Sequence, residues 1–284
     1  MRLKSYIILP VYNRKQITER FIDCLLRQTY QNYHLILVDD GSDDGTAEMV
    51  KRQVKNLTVI SGTGNWWWAG CLQQGIKWLE DNNVDPEDVV VFINDDVVYE
   101  VDFLEKAARI LEMSPNTLVL PHIQDEETNR PVSTGVEVDF STLILRNAIN
   151  SESVNCLPTR GLFMRWGDVQ KVGKFYPFLL PHYLSDYEFT LRAYRKGFKL
   201  LSSPDLVITA NLEATGYRNL QGVGFKLFMR SFFSKKSVAN PVYWTVFVLL
   251  ACPFRWIPIN VFRVWKRALF MVLKNAGNSL TVRE

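Results

Sequence analysis

Four short apolar runs, each followed within two residues by Asp, Asn or Ser, divide the first third of the chain: Tyr6 to Val11, Tyr33 to Val38, Leu57 to Ile60 and Val89 to Ile93. Such runs read as strands buried on both faces, the habit of a parallel sheet. Between them Ile17, Phe21, Leu25 and Leu26 keep the spacing of a helix with one buried face. Asn13, with Gln16 three residues on, has the form of a helix N-cap. The Gly41–Thr46 turn opens a second helix with Ala47, Val50 and Val54 inward, and a third is expected from about Gly70 to Asp81. Strand and helix in alternation, with short connections, predict a doubly wound parallel sheet.

After Asp96 the pattern changes. A helix is expected from about Asp102 to Glu112, followed by shorter strands at Leu118–Leu120, Val132–Val138 and Leu143–Leu145 whose polar alternation suits a smaller, mixed sheet. Phe189, Ala193 and Tyr194 share a helix running from Asp186 to Lys196, with Gly197 where a C-cap belongs. Leu206 to Thr209 reads as a last short strand.

The segment from residue 222 differs in kind. Phe225, Leu227, Phe228, Met229, Phe232 and Phe233 interleave with Lys226, Arg230, Lys235 and Lys236, and then Val242 to Phe254 runs without a charge. A bilayer-spanning helix needs about 20 apolar residues, so this stretch is too short to cross. From Lys226 onward the only acidic residue is Glu284. Aromatics beside unbalanced cations suit a helix lying in a membrane interface. The competing reading is a helical pair packed on the core or on a second copy of the chain. We therefore expect a unit over 1–221, divided into halves at 1–100 and 101–221, and a basic aromatic helical tail over 222–284.

Bulk composition adds exclusions. A net charge of +3 over 284 residues gives no reason to expect nucleic acid. Cys24, Cys71, Cys156 and Cys252 are far apart and show no CxxC spacing, which argues against a disulfide framework or zinc site and for a reducing, cytoplasmic setting. The opening apolar stretch is too short for a secretory signal, so export is not expected. There is no GxxxxGK[ST] loop, no GxGxxG after the first strand and no HExxH.

The chemistry gathers where strands end. Asp39-Asp40-Gly41-Ser42 follows the second run and Asn94-Asp95-Asp96 the fourth. In an open parallel sheet, ligands bind beyond the carboxyl ends of the strands. Two acidic pairs on that rim need a cation or hydrogen-bond donors between them, and Mg²⁺ or Mn²⁺ in phosphate sites uses one or two carboxylates. Each cluster alone also reads as turn or capping chemistry. Asp186 at a helix start is either a catalytic base or an acid stabilised by the helix dipole, and Glu188 is a second candidate. In Gly64-Asn65-Trp66-Trp67-Trp68, three consecutive rings cannot share one buried face. At least one is expected to line a cleft, against a base or sugar, or to be the exposed edge of a core plug. His34 and His122 read as structural, and His182, four residues before Asp186, as a candidate for the cleft.

Taken in order, ILPVYNR, LILVDDGSDDGT, FINDDV and SDYEFTLRAYRKGFKL resemble the family 2 glycosyltransferases over about residues 5 to 215. The resemblance implies a GT-A fold and an inverting transfer from a nucleotide-diphosphate sugar, most simply a UDP- or dTDP-sugar, with Mn²⁺ or Mg²⁺. It implies that Pro10, Tyr12, Asn13, Asn65, Trp68 and Asp95 line the donor nucleotide, that Asp39 takes its base, and that Asp96 holds the metal. Asp186 corresponds to the general base, and Arg160, Gly161 and Glu188 border the acceptor. The chain departs from the pattern at Asn94 in place of Asp, at Ser185 in place of Glu, and at Asn211, where many relatives carry a metal-binding His. Work on cell-surface polysaccharide or O-antigen, with a glycan or lipid-linked acceptor, gives the tail a role: peripheral attachment to the inner face of the membrane, or pairing of two copies. The competing functions are a sugar-nucleotide nucleotidyltransferase, which usually shows a Gly-rich basic loop after strand one, and a non-catalytic membrane-associated binding module.

Overall fold

The computed structural model describes residues 3–210 and 224–281. Strands β1 (Ser5–Val11), β2 (Tyr33–Asp39), β3 (Leu57–Ser61) and β4 (Val89–Phe92) lie parallel in the order β3-β2-β1-β4. Helices α1 (Lys15–Leu26), α2 (Thr46–Gln53) and α3 (Trp67–Asp81) connect them. Burial on both faces is visible along β1. Ile7, Leu9 and Val11 pack with α1 and α2, whereas Tyr6 and Ile8 pack with α3. Continuous apolar sequence follows from this, since neither face meets water.

The mixed strands extend the same sheet. Beyond β4 it continues through β10 (Leu162–Arg165), β6 (Thr117–Asp125), β11 (Lys199–Ala210) and β5 (Val97–Tyr99), with β7 (Pro131–Ser133) paired to β6. β10 runs antiparallel to both β4 and β6. The run expected over Val132–Val138 is broken: Gly135 has φ +103 and separates β7 from β8 (Val136–Asp139). β8 pairs with β9 (Ile144–Asn147) in a separate antiparallel hairpin. α4 (Phe103–Met113) joins α1 and α2 on one face of the sheet, and α5 (Trp166–Val172) and α6 (Ser185–Arg195) join α3 on the other. Gly197, at φ +86, ends α6 as expected.

The expected boundary at 221/222 lies outside the described residues, as does Asn211. Beyond it come α7 (Phe225–Phe232), α8 (Pro241–Ala251) and α9 (Ile257–Thr281). The charge-free run forms α8, which is not the helix facing away from the protein. Its Phe247 and Ala251 are fully buried with Leu180, Leu184 and Leu191, so it packs on α6 and the β8–β9 hairpin. Val264 and Ala268 of α9 face α8 and α7. Arg263 donates to Ser141 O and Asn260 Nδ2 to Phe140 O at 2.7 Å, pinning α9 to the hairpin turn. The opposite face of α9 carries Phe262, Trp265, Leu269, Phe270 and Leu273, all exposed. Among the described residues no helix is long and apolar enough to cross a membrane.

Candidate active site

The carboxyl ends of β1, β2 and β4 come side by side because Val11 pairs with Asp39 and Ile8 with Phe92. Three loops leave this edge together. The first turn, Tyr12-Asn13, is exposed, and Asn13 has φ +50. Asn13 does not cap α1, which starts at Lys15. Its Oδ1 accepts the Asp43 N–H at 2.9 Å and its N–H donates to Ser42 Oγ at 2.9 Å. Asp44 Oδ2 takes the Lys15 N–H at 2.9 Å, so the acidic loop after β2 supplies the cap that Asn13 does not.

Asp39 is buried, and its Oδ1 accepts the Ser42 N–H at 2.8 Å. Asp40 turns the other way. One oxygen accepts from Gly64 at 2.9 Å and the other from Trp66 and Trp67 at 2.9 and 3.0 Å. This carboxylate holds the start of α3, including Trp67, whose φ of +58 is unusual for so bulky a residue. Gly62 packs beneath it, where a Cβ would lie 2.7 Å from both Asp40 Oδ1 and the Trp66 ring. Asp40 is a positioning residue that the sequence reading left unassigned. Its signal was the doubling of Asp after an apolar strand.

Asp95 and Asp96 are both buried. Both oxygens of Asp95 are engaged: Thr18 Oγ1 donates to Oδ2 at 2.9 Å and Arg14 Nε lies 3.3 Å from Oδ1. Burial raises the Asp95 carboxyl to about 6 against the pull of Arg14. Asp96 Oδ2 faces Arg14 at 3.6 Å and Arg160 at 3.7 Å, while its Oδ1 is buried without a hydrogen-bond partner. A single free carboxylate oxygen at this edge suits a hard cation completed by ligand phosphates and water. No group of three or more His, Cys, Asp or Glu residues forms a cation cage among the described residues.

The fourth wall is the loop before β10. Gly161, at φ +84, donates its N–H to Phe92 O at 2.9 Å, and a Cβ there would press on Pro121 at 3.1 Å. That close approach sets Arg160 against Asp96. One residue earlier, the Thr159 backbone N–H is near enough to Asp186 to help hold its carboxyl down, and Thr159 Oγ1 accepts from Trp68 Nε1 at 3.0 Å. Residues 159–161 thus link the Asp96 side of the cleft to Asp186 at the start of α6. Asp186 also accepts the Tyr187 N–H at 2.9 Å. Burial nevertheless raises it to about 6, with hydrogen bonds and Arg160 opposing. Thr159 was missed because an isolated Thr carries no sequence signal.

Glu188 is not turned toward this cleft. It is 2% exposed and bound through both oxygens to Arg192, at 3.0 and 2.7 Å. Asn65 is exposed and Pro10 half-buried at the end of β1. Trp66 and Trp68 pack against the core beneath α3, whereas Trp67 meets the His182 ring edge-on at 5.9 Å. His34 stacks on Trp78 at 5.2 Å and bonds Thr58, far from the cleft.

Residues 6–166 match the profile of Glycosyl transferase family 2. Glycosyltransferase AglE of Haloferax volcanii is 23% identical over 211 residues, covering 71% of this chain and 64% of its own length. Two solved structures are similar in fold. GalNAc-T7 with UDP, GalNAc and Mn²⁺ gives a TM-score of 0.64 at 14% identity, covering 86% of this chain and 48% of that one. Mannosyltransferase PcManGT of Pyrobaculum calidifontis, in complex with GDP-Man and Mn²⁺, gives 0.58 at 16% identity, covering 100% and 89%. The chain therefore spans less than two thirds of AglE and about half of GalNAc-T7. The α/β architecture is of the GT-A type, and with the profile matching more than half of its length, the chain belongs to glycosyl transferase family 2.

Proposed function

We propose that the chain transfers a sugar from a nucleotide-diphosphate donor to an acceptor hydroxyl with inversion. The observation that supports this reading is the placement of Asp39 at the carboxyl end of β2 and Asp96 just past that of β4, with Arg160 3.7 Å from Asp96 and exerting its charge on Asp186 as well. Asp39, Pro10, Tyr12, Asn13, Asn65 and Trp68 border the nucleotide, and Arg160 and Gly161 the acceptor. Asp186 is the base. It takes the proton of the acceptor hydroxyl as the oxygen attacks the anomeric carbon, opposite the departing diphosphate. A carboxylate that titrates near 6 is ionised at neutral pH yet basic enough to accept that proton.

Asp96, through its free Oδ1, would hold the divalent cation of the Mn²⁺-bound neighbours. When bound, that cation supplies charge neutralisation at the leaving diphosphate. Arg14 and Arg160 add fixed positive charge beside the same carboxylate.

The acceptor we favour is lipid-linked, in cell-surface polysaccharide synthesis, with the 222–284 tail resting on the inner face of the membrane. Support comes from α9, whose exposed apolar stripe is bordered by Lys266 and Lys274. A second copy of the chain is the alternative occupant of that stripe. Thermal-shift measurements with UDP, dTDP, GDP and CMP compounds, with and without Mn²⁺, test the reading. A metal-dependent rise for one nucleotide, lost in Asp96→Ala, is expected. No rise with any nucleotide would overturn it.

A further inference from the structure

The α7–α8 connection reaches back to the cleft. Lys235 Nζ and Lys236 Nζ lie 5.6 and 5.5 Å from the centroid of the Trp67 ring. The turn that carries them is braced: Asn240 Nδ2 donates to Ser234 O at 3.1 Å, and Trp244 Nε1 donates to Val238 O at 2.8 Å. Two ammonium groups are therefore held over one ring, and no carboxylate pairs with either among the described residues.

The neighbouring polar atoms are also unpartnered. Trp67 Nε1 is buried with no acceptor, and His182 Nδ1 is buried with no partner. Indole N–H is a donor only, and each ammonium offers three donors and no acceptor. A buried polar group without a partner costs free energy, and two adjacent cations repel. Trp67 Nε1 and the two ammonium groups thus supply donors and positive charge with no acceptor facing them, and the His182 ring adds a donor in its Nδ1–H tautomer. An oxyanion with several charged oxygens meets every one of these demands, by charge-assisted hydrogen bonds.

Trp67 is rigidly presented, since Asp40 fixes its backbone, and Ala69 donates to Pro181 O at 3.0 Å next to His182. The same segment, four residues on, places Asp186 at the start of α6. The cluster therefore sits between the donor loop, the general base and the tail.

We propose that Trp67, His182, Lys235 and Lys236 form a binding site for a phosphate or diphosphate ester. Two sources share that chemistry within the transferase reading, on which this assignment rests: the diphosphate of the donor and a phosphate on the acceptor.

The test is calorimetric titration of the full chain with inorganic pyrophosphate in EDTA. Binding is expected in the wild type and weakened roughly tenfold or more in the Lys235→Ala/Lys236→Ala variant, with Lys→Arg at both positions retaining it. Trp67→Phe, which keeps the ring and removes the N–H, is expected to lose about a few-fold. Titration repeated with a saturating nucleoside diphosphate and Mn²⁺ separates the sources. Displacement of pyrophosphate assigns the site to the donor, and undiminished binding assigns it to the acceptor. Equal pyrophosphate affinity in wild type and double variant would overturn the proposal, as would absence of binding in a chain that still binds a nucleoside diphosphate with Mn²⁺. Failure of both ligands would instead bring down the transferase reading itself.

Discussion

Asp40 and Trp67 are 27 positions apart, and the carboxylate of one accepts the backbone N–H of the other at 3.0 Å while that backbone sits in the left-handed region. The same carboxylate serves Gly64 and Trp66. Asp40→Ala strands three N–H groups, each worth about 1–3 kcal/mol when left unpaired and out of water. A clear drop in melting temperature follows, at roughly 2–4 °C per kcal/mol for a protein of this size class. Asp40→Asn keeps an acceptor and should fall less. Thermal denaturation of the two variants measures the difference.

Asp186 gives opposite expectations for stability and turnover. Its folded-state carboxyl near 6 lies above the ordinary 3.8, so the group's contribution is greatest below 3.8 and is lost as pH rises through 6. Asp186→Asn should therefore melt higher than wild type at pH 7.5. Turnover should fall by roughly 10²–10⁴-fold in Asp186→Ala, with donor binding retained. In the wild type kcat should decline as pH drops through about 6, because the protonated acid cannot accept the hydroxyl proton. A flat profile from pH 5 to 8, measured with a fixed donor, would remove Asp186 from that role.

Much of this was legible before any coordinates. VVVFI announced a central strand because each of its side chains meets a helix rather than water, and the acidic doublets marked where β2 and β4 end. Less local features were hidden. Leu162–Arg165 is four residues long and gains strand character only by insertion between β4 and β6, which a window along the chain cannot sense. Gly135 looked like an ordinary member of an alternating strand until its positive-φ backbone split it. Lys235 and Lys236 read as interfacial cations of the aromatic tail, because only the return of the chain brings them to Trp67.

Arg14 neutralises a carboxylate that is 3% exposed. Arg14→Ala should destabilise the protein by about 1–3 kcal/mol at pH 8, where Asp95 must stay charged. The loss should shrink at pH 5, where a carboxyl raised to about 6 takes up a proton and needs no cation. Urea denaturation at the two pH values checks the sign.

The α9 stripe predicts vesicle binding that depends on apolar area as well as charge. Leu269 and Phe270 are 60% and 67% exposed, so Glu at both should leave the fold and the melting temperature intact. Removing two insertable side chains should weaken partitioning onto anionic vesicles by roughly a hundredfold. Cosedimentation with vesicles rich in acidic lipid measures it, and unchanged partitioning would point to a second copy of the chain as the partner.

Phe247 of α8 is fully buried against Leu184, the residue before α6, and Leu191 within it, on the helix whose second residue is Asp186. During synthesis the ribosome releases α6 some fifty residues before α8 appears, so Asp186 spends that interval on a helix with part of its packing missing. The packing around Asp186 is thus completed only once α8 has been made.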